Sequence, residues 1–351
     1  MRELKMNAYL KLFFSIIILM LIISCDEKKE EESNPTDPNT TSTPFKNMKV
    51  VKRITGLNGG EAVETVDGVL YVGDLTGISV YRITNPENPE FRKKIALTTV
   101  YDLYAKRYNE YTFNLFAACG GNGLSIFEIN GSSNLDPVFK SFVPGGFYSD
   151  VAAEGSRMYV ASQLSRGVRV FNISNAFEPK LEYSIDQQAN SVGVAINTNM
   201  DLVVVDYDGK VKIYDMLYLP SVRSTSQPIN INSKLLSVST LFGDDACVGA
   251  ESGVYFLHTN PSRITTSEVA SSLLIGGDVH DSEIIYKESE GKKYAFLAAG
   301  NKDLIVVDIT DKDKPKIVKE LALDGNARDL KIYGNYIFVV GDYDLNIVKM
   351  D

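Results

Sequence analysis

The sequence predicts an all-β protein, a seven-bladed β-propeller built from four-stranded antiparallel blades. Three observations support this prediction. Strand-like segments rich in Val, Ile, Tyr and Phe recur along the chain, and clusters of Gly, Asn, Asp and Pro separate them. The same pair of segments returns seven times, with the spacing of a propeller blade. No helical periodicity of useful length accompanies them.

Each copy contains an anchor residue, a Gly or Asp that stands just before the third strand of the blade. The seven anchors are Gly77, Gly123, Gly167, Gly209, Gly253, Asp303 and Asp344. Successive anchors are 46, 44, 42, 44, 50 and 41 residues apart. The sixth copy shows the four strands of one blade most clearly. From the innermost to the outermost, they are predicted at residues 284–286, 294–298, 304–309 and 316–321.

The two ends of the repeat region predict how the ring closes. The sequence stops at Asp351, directly after the third strand of the seventh copy, so that copy lacks an outer strand. Residues 48–55, before the first copy, form a strand-like segment that has no inner partner of its own. We expect this segment to become the outer strand of the last blade, because closure pairs edges that would otherwise be exposed.

The best-kept copy of the repeat reads LIVVDITD at residues 304–311, and Pro315 follows it. Weaker copies stand at residues 77–86 and 167–175. This consensus resembles the LVIVD-repeat family of bacterial envelope β-propellers, and the resemblance covers residues 48–351. It implies the propeller architecture but little about chemistry, because propellers host many unrelated functions.

Residues 1–24 are predicted to be a lipoprotein signal peptide. Basic residues precede the apolar residues 12–23, which are too few to span a membrane. The apolar run ends in IISC, with an aliphatic residue three positions before Cys25 and a small residue directly before it, and it resembles a bacterial lipobox. The resemblance implies that Cys25 is acylated and becomes the mature N-terminus. The alternative is an ordinary Cys just after a signal peptide.

Residues 25–46 are predicted to be a flexible tether, and residues 47–351 the propeller. The tether is acidic and then rich in Thr, Asn and Pro, so it has too little apolar surface to fold. Acidic residues beside Cys25 resemble a surface-export signal of some bacterial phyla, whereas Asp26 resembles an enterobacterial inner-membrane retention signal. We expect an exported protein, lipid-anchored in the bacterial envelope, at the outer membrane or the cell surface.

Composition excludes one class of partner. The net charge of −9, without a basic cluster on the body of the chain, argues against a nucleic-acid surface.

Cys119 and Cys247 stand in the second and fifth copies, which are not neighbours in a seven-bladed ring. We therefore expect both thiols to stay reduced and to pack as small apolar side chains.

Four blades are expected to place a carboxylate near the central channel. Alignment of the inner strands on Asp329 brings Asp102, Asp150 and Glu283 to the same level. Converging acids can bind a divalent cation or a basic group. The alternative, which we favour at this point, is that each acid accepts hydrogen bonds from the backbone of its own inter-blade loop.

The densest polar cluster is GGDVHDSEI, residues 276–284. Its His and carboxylates can ligate a metal or serve as a base. The alternative is a solvated loop, where such residues commonly collect. The candidate residues for a ligand or metal site at the channel mouth are therefore Asp102, Asp150, His280, Asp281, Glu283 and Asp329.

The expected function is that of a binding module on the cell envelope. A lipid at the N-terminus would hold it on the membrane, and its loops would recognise a protein or a glycan. The alternative is a metal-dependent hydrolase or lyase, with a divalent cation in the central channel. The interaction module is favoured over the enzyme, because no nucleophile elbow, phosphate loop or calcium loop is present in the sequence.

Overall fold

The strands form seven sheets in which each inner strand packs against the inner strand of the next sheet, and the last sheet packs against the first. The predicted seven-bladed β-propeller is therefore confirmed. It is seen in a computed structural model, which describes residues 44–131, 136–164, 166–217, 223–224, 227–241, 245–259 and 268–350. These residues belong to one compact unit, Thr43–Asp351.

The strands are numbered in chain order, and the blades follow the same order. Blade 1 consists of β2 (Gly60–Val66), β3 (Val69–Asp74), β4 (Gly77–Arg82) and β5 (Glu90–Ala96), and blade 2 of β6 (Asp102–Arg107), β7 (Thr112–Ala118), β8 (Leu124–Asn130) and β9 (Val138–Val143). Blade 3 consists of β10 (Phe147–Glu154), β11 (Arg157–Gln163), β12 (Gly167–Asn172) and β13 (Lys180–Ile185), and blade 4 of β14 (Ser191–Ile196), β15 (Asp201–Asp206), β16 (Lys210–Asp215), β17 (Arg223–Ser224) and β18 (Ile229–Asn230). Blade 5 consists of β19 (Leu235–Thr240), β20 (Asp245–Ala250), β21 (Gly253–His258) and β22 (Val269–Leu274), and blade 6 of β23 (Asp281–Lys287), β24 (Lys292–Ala298), β25 (Leu304–Asp308) and β26 (Lys316–Leu321). Blade 7 consists of β27 (Ala327–Tyr333), β28 (Tyr336–Gly341), β29 (Asp344–Lys349) and the N-terminal strand β1 (Lys49–Thr55).

The ring closes through the N-terminal strand, as predicted. β1 pairs antiparallel with β29 from Lys49↔Lys349 to Thr55↔Asp344. Arg53 of β1 also forms ion pairs with Asp324, at 2.7 Å, and with Asp344. Without β1, the edge of β29 would be free to pair with another chain.

The residues directly before β1 also pack on the propeller. Residues 44–47 form a turn, and the ring of Phe45 is buried. Its centroid lies 5.0 Å from that of Tyr294 and 5.4 Å from that of Phe296. The last residues of the predicted tether 25–46 therefore pack on blade 6, because a buried aromatic ring stabilises this contact. The predicted signal peptide 1–24, Cys25 and the rest of the tether lie outside the described residues.

One blade departs from four regular strands. The outer strand of blade 4 is split into β17 and β18, which both pair with β16. Pro228 precedes β18 directly, and it has no N–H to donate to a sheet. The split lies at the rim, away from the central channel.

The hydrophobic core lies between the blades. In one cluster Phe116 and Ile126 of blade 2 pack against Val160 and Phe171 of blade 3. Equivalent clusters join the other neighbouring blades, including blade 7 to blade 1. Cys119 and Cys247 are buried and free, as expected. Within the described part of the chain, no helix has the length and apolar character that a membrane span requires.

Candidate functional site

The seven inner strands bring one residue each to the same level of the central channel. In five of the inner strands, this residue directly follows a break in the regular pairing with the second strand of the blade. In β6 and β23 it is the first residue that pairs with the second strand. We call these residues the ring position. In blade order they are Ala62, Asp102, Asp150, Gly193, Ser237, Asp281 and Asp329.

The ring position corrects one part of the sequence alignment. Asp281, not Glu283, is the residue of blade 6 that aligns with Asp102, Asp150 and Asp329. In the other three blades with a ring Asp, this Asp is followed by Leu or Val. Glu283 is also followed by an apolar residue, and for this reason the sequence alignment selected it. In blade 6 the residue after the ring position is Ser282, which is buried and bonded to Ser239, at 2.7 Å, across the blade boundary.

Each ring aspartate accepts a hydrogen bond from the inner strand of the next blade. The four bonds run from the N–H of Val151 to Asp102 (2.8 Å), of Val194 to Asp150 (2.8 Å), of Leu330 to Asp281 (3.3 Å) and of Val63 to Asp329 (2.6 Å). The donor is always the residue that follows the ring position of that next blade. The acids thus converge on the channel and also bond the backbone of the neighbouring blade. Asp102 and Asp329 in addition accept the N–H of the next residue of their own strand, at 2.7 Å and 2.6 Å.

The four aspartates influence one another electrostatically as two neighbouring pairs, Asp102 with Asp150 and Asp281 with Asp329. Burial and then the neighbouring carboxyl raise the pKa of Asp102 and of Asp329 well above their usual range. Burial raises the pKa of Asp150 to about 6 and also raises that of Asp281. Protein surrounds these groups, and the part of their surface that remains accessible faces the channel.

A second charged level lies two residues further along the inner strands. Lys331 Nζ lies 3.1 Å from Glu64 Oε1, across the junction of blades 7 and 1. Burial alone would lower the pKa of Lys331, but the carboxylates of Glu64 and Glu283 raise it. Glu283 accepts the N–H of Ile332 at 2.7 Å, and burial raises its pKa to about 7. Glu283 thus belongs to this level and not to the ring.

His280 and Arg328 stand one residue before the ring position, at the channel mouth. Arg328 Nη1 lies 3.2 Å from His280 Nε2, and Arg328 Nε donates to Asp342 Oδ1 at 2.9 Å. Burial and then the positive charge of Arg328 lower the pKa of His280. Because a guanidinium only donates, the imidazole is neutral and accepts through Nε2. The arginine occupies the nitrogen that a metal ion would otherwise use.

Two cavities meet at the ring aspartates. The mouth cavity has a volume of about 270 Å³ and reaches the residues before the ring position, among them Glu61, Tyr101, Ser149, His280 and Arg328. The inner cavity also has a volume of about 270 Å³ and is lined by the second charged level, including Glu64, Tyr104, Glu283 and Lys331. Asp102, Asp150, Asp281 and Asp329 line both cavities.

The structure thus joins all six predicted site residues to one channel, but at three levels. It adds residues that sequence reasoning missed, chiefly Tyr101, Arg328, Glu64 and Lys331. The available signal was their place one or two residues from a ring residue in the repeat. Among the described residues, no group of three or more His, Cys, Asp or Glu side chains has an arrangement that would hold a metal ion.

The comparison with protein-family models agrees with the fold. The LVIVD repeat model matches residues 291–321 and 324–349, which lie in blades 6 and 7. The first match includes the segment 304–311 from which the resemblance was drawn. A comparison with curated proteins found no similar sequence. The chain is a seven-bladed β-propeller that contains LVIVD repeats.

Proposed function

We propose that the protein is a binding module of the bacterial cell envelope, and that it holds a cationic group of its partner in the mouth cavity. The single observation that carries this proposal is the convergence of Asp102, Asp150, Asp281 and Asp329 on one open cavity. β-Propellers with LVIVD repeats commonly act as interaction modules. A closed ring of sheets provides a rigid frame for such a site.

The lining of the mouth cavity favours an ammonium or guanidinium group. Carboxylates accept charge-assisted hydrogen bonds from such groups. Tyr101 and Tyr207 line the same cavity, and the face of an aromatic ring attracts a cation. Ser149 and Gln163 add neutral polar groups. A lysine or arginine of an envelope protein, or an amino group of a glycan, would supply the matching chemistry.

The envelope assignment rests on the N-terminal sequence. The signal peptide, the acylated Cys25 and the acidic tether would place the propeller on a membrane through its N-terminal lipid. Cys25→Ala should then move the protein from the membrane fraction to the soluble fraction. Protease treatment of intact cells should remove the propeller if it faces outward, and full protection would refute surface display.

The metal-dependent hydrolase or lyase is the weaker proposal. The ring aspartates accept hydrogen bonds from the backbone, and the Nε2 atom of His280 faces Arg328. Thermal unfolding with Ca²⁺, Mg²⁺, Mn²⁺ and Zn²⁺ separates the two proposals. A ligand at 100 times its Kd stabilises the folded state by about 2.7 kcal/mol. A shift of this size with one of these ions would favour the metal site.

The binding proposal is tested by calorimetry with Nα-acetyl-lysine amide, which carries one free ammonium. We expect saturable binding to the wild-type protein. Replacement of both Asp150 and Asp281 by Asn should weaken it about tenfold or more, because charge-assisted bonds contribute about 1.5–3 kcal/mol. Asp67→Asn is the matched control, since Asp67 is exposed in the turn at the far end of the inner strand of blade 1. Equal affinity of the double variant and the control would contradict the proposed site.

A further inference from the structure

A further cavity opens beside the mouth cavity, at the junction of blades 6 and 7. We call it the lateral cavity. It has a volume of about 300 Å³, and small or neutral polar residues form most of its lining: Gly276, Gly277, Gly300, Asn301 and Asn326. Among the residues that the structure describes, His280 and Arg328 are the two that line both this cavity and the mouth cavity. A ligand that occupies both cavities therefore passes these two side chains.

The guanidinium of Arg328 is held at two of its three nitrogens. Nε donates to Asp342 Oδ1 at 2.9 Å, and Nη1 lies 3.2 Å from His280 Nε2. Within the described parts of the chain, no atom accepts a hydrogen bond from Nη2, and 30% of the side chain is accessible. The two bonds fix the orientation of the planar group, and the nitrogens that remain available suit a carboxylate, which accepts from a guanidinium in parallel bonds.

Other donors without an acceptor surround this guanidinium. Because Nε2 of His280 accepts from Arg328, the proton of the neutral imidazole is on Nδ1. Gly277 is buried. Neither the N–H of Gly277, nor this Nδ1–H, nor the side-chain amide of Asn301 has a hydrogen-bond partner in the described ranges. Asp278, the acid of the lateral cavity, accepts the N–H of Ser252 at 3.3 Å. The lateral cavity thus offers more donors than acceptors.

We propose that the site binds a zwitterionic ligand, whose carboxylate Arg328 holds while the ring aspartates hold its cationic group. This inference rests on the proposed function, and it narrows the ligand to a residue with a free carboxylate, such as the C-terminal residue of a peptide. Arg328 is the one permanent cation among the described residues that line the mouth cavity. Because Arg328 directly precedes Asp329 and both line that cavity, one small ligand reaches the two charges.

The test compares two probes by calorimetry at constant pH and ionic strength. Nα-acetyl-lysine and Nα-acetyl-lysine amide carry the same ammonium, but only the first has a free carboxylate. We expect the wild-type protein to bind Nα-acetyl-lysine with a Kd about tenfold or more below that of the amide, because charge-assisted bonds are the strong ones. Equal Kd values, or tighter binding of the amide, would overturn this inference and leave the proposed function intact. Absence of binding by both probes would overturn the proposed function.

Variants assign the preference for the carboxylate to Arg328. Arg328→Gln should bring the two Kd values close together. Lys302→Gln is the matched control, because it removes the same charge from an exposed side chain that lies next to Gly276, at the rim of the lateral cavity. It should retain the preference. An equal loss of preference in the two variants would overturn the role of Arg328, since a general effect of charge would explain it.

A second substitution keeps this test decisive if Arg328→Gln does not fold. Arg328→Lys retains the positive charge but lacks the planar fork. It should lose most of the preference for Nα-acetyl-lysine over the amide. A preference as large as that of the wild-type protein would overturn the proposed contact between the guanidinium and the carboxylate.

Discussion

At the scale of single residues, the ring aspartates have a structural and a chemical role at once. Asp102 joins blade 2 to blade 3 through the N–H of Val151, and Asp329 joins blade 7 to blade 1 through that of Val63. The remaining oxygen surface faces an open cavity. A carboxylate that only capped a loop would not need to face the channel. A carboxylate that only bound a ligand would not need the hydrogen bonds from the backbone.

The first prediction concerns the pH dependence of stability. A raised pKa means that the folded state binds more protons than the unfolded chain, so the ring contributes stability below about pH 4 that is lost as the pH rises through the folded pKa values. For Asp150 this pKa is about 6. In the Asp102→Asn variant this position stays neutral at every pH, so one of the titrating groups is removed. Its Tm should therefore fall less than that of the wild type between pH 5 and pH 8.

Thermal unfolding at the two pH values measures this difference. Asp67→Asn serves as the control and should follow the wild-type protein, because Asp67 lies in an exposed turn. A parallel fall of the Tm in wild type and Asp102→Asn would contradict the raised pKa of Asp102.

The second prediction concerns the second charged level. Lys331→Met would leave Glu64 and Glu283 without their common cation. We expect a loss of about 3 kcal/mol, at the low end for a broken buried pair, because about a third of the lysine side chain is accessible from the channel (32%). Lys292→Met removes a surface pair with Asp308 and should cost less than about 1 kcal/mol. Urea denaturation measures the free energy of unfolding of both variants. An equal loss of stability in the two would contradict the role of Lys331 in a buried ion pair.

Single residues were harder to predict than strands for a physical reason. Lys331 meets Glu64, and Asp329 meets the N–H of Val63, only because the ring closes over more than 260 positions of sequence. No local pattern contains such a contact. The acids themselves were visible, because they repeat at one place in the copies. Glu283 was misplaced because Ser282 stands where the other acidic blades have an apolar residue.

At the scale of elements, the anchor glycines explain why the repeat is recognisable. A Cβ at Gly77, Gly167 or Gly209 would collide with a carbonyl in the outer strand of the same blade or directly after it. In these three blades the anchor must therefore lack a side chain, because the chain after the third strand approaches it too closely. The sixth anchor, Asp303, has a positive φ of 64°, which Asp tolerates better than most residues. This requirement is local, so the period could be read directly from the sequence.

The third prediction compares two glycines with similar backbone angles. Gly167 has φ +62° and would meet the carbonyl oxygens of Ile185 and Asp186, whereas Gly155 has φ +57° and open space around it. Gly155→Ala should cost about 1 kcal/mol from backbone strain alone. Gly167→Ala should cost about 3 kcal/mol, since overpacking adds to the strain. The measurement is the urea midpoint of each variant, and equal midpoints would refute the steric role of the anchor.

At the scale of the whole molecule, closure determines both the stability of the ring and the geometry of the channel. β1 completes blade 7, and Phe45 and Met48 bury their side chains next to blades 6 and 7. The sequence predicted the closing strand because an unpaired strand stood before the first copy. It did not predict the contact of Phe45, because one aromatic residue after a polar segment has no periodic neighbours to mark it.

The last prediction tests closure with two shortened chains. A chain that begins at residue 44 retains Phe45, Met48 and all of β1, so its urea midpoint should equal that of the full-length protein. A chain that begins at Leu57 loses the strand that pairs with β29 and the ion pairs of Arg53. Blade 7 then presents the edge of β29, which can template pairing with a second chain. We expect a lower urea midpoint and concentration-dependent association, measured by denaturation and by light scattering. A monomeric protein of unchanged stability would show that the ring does not need β1.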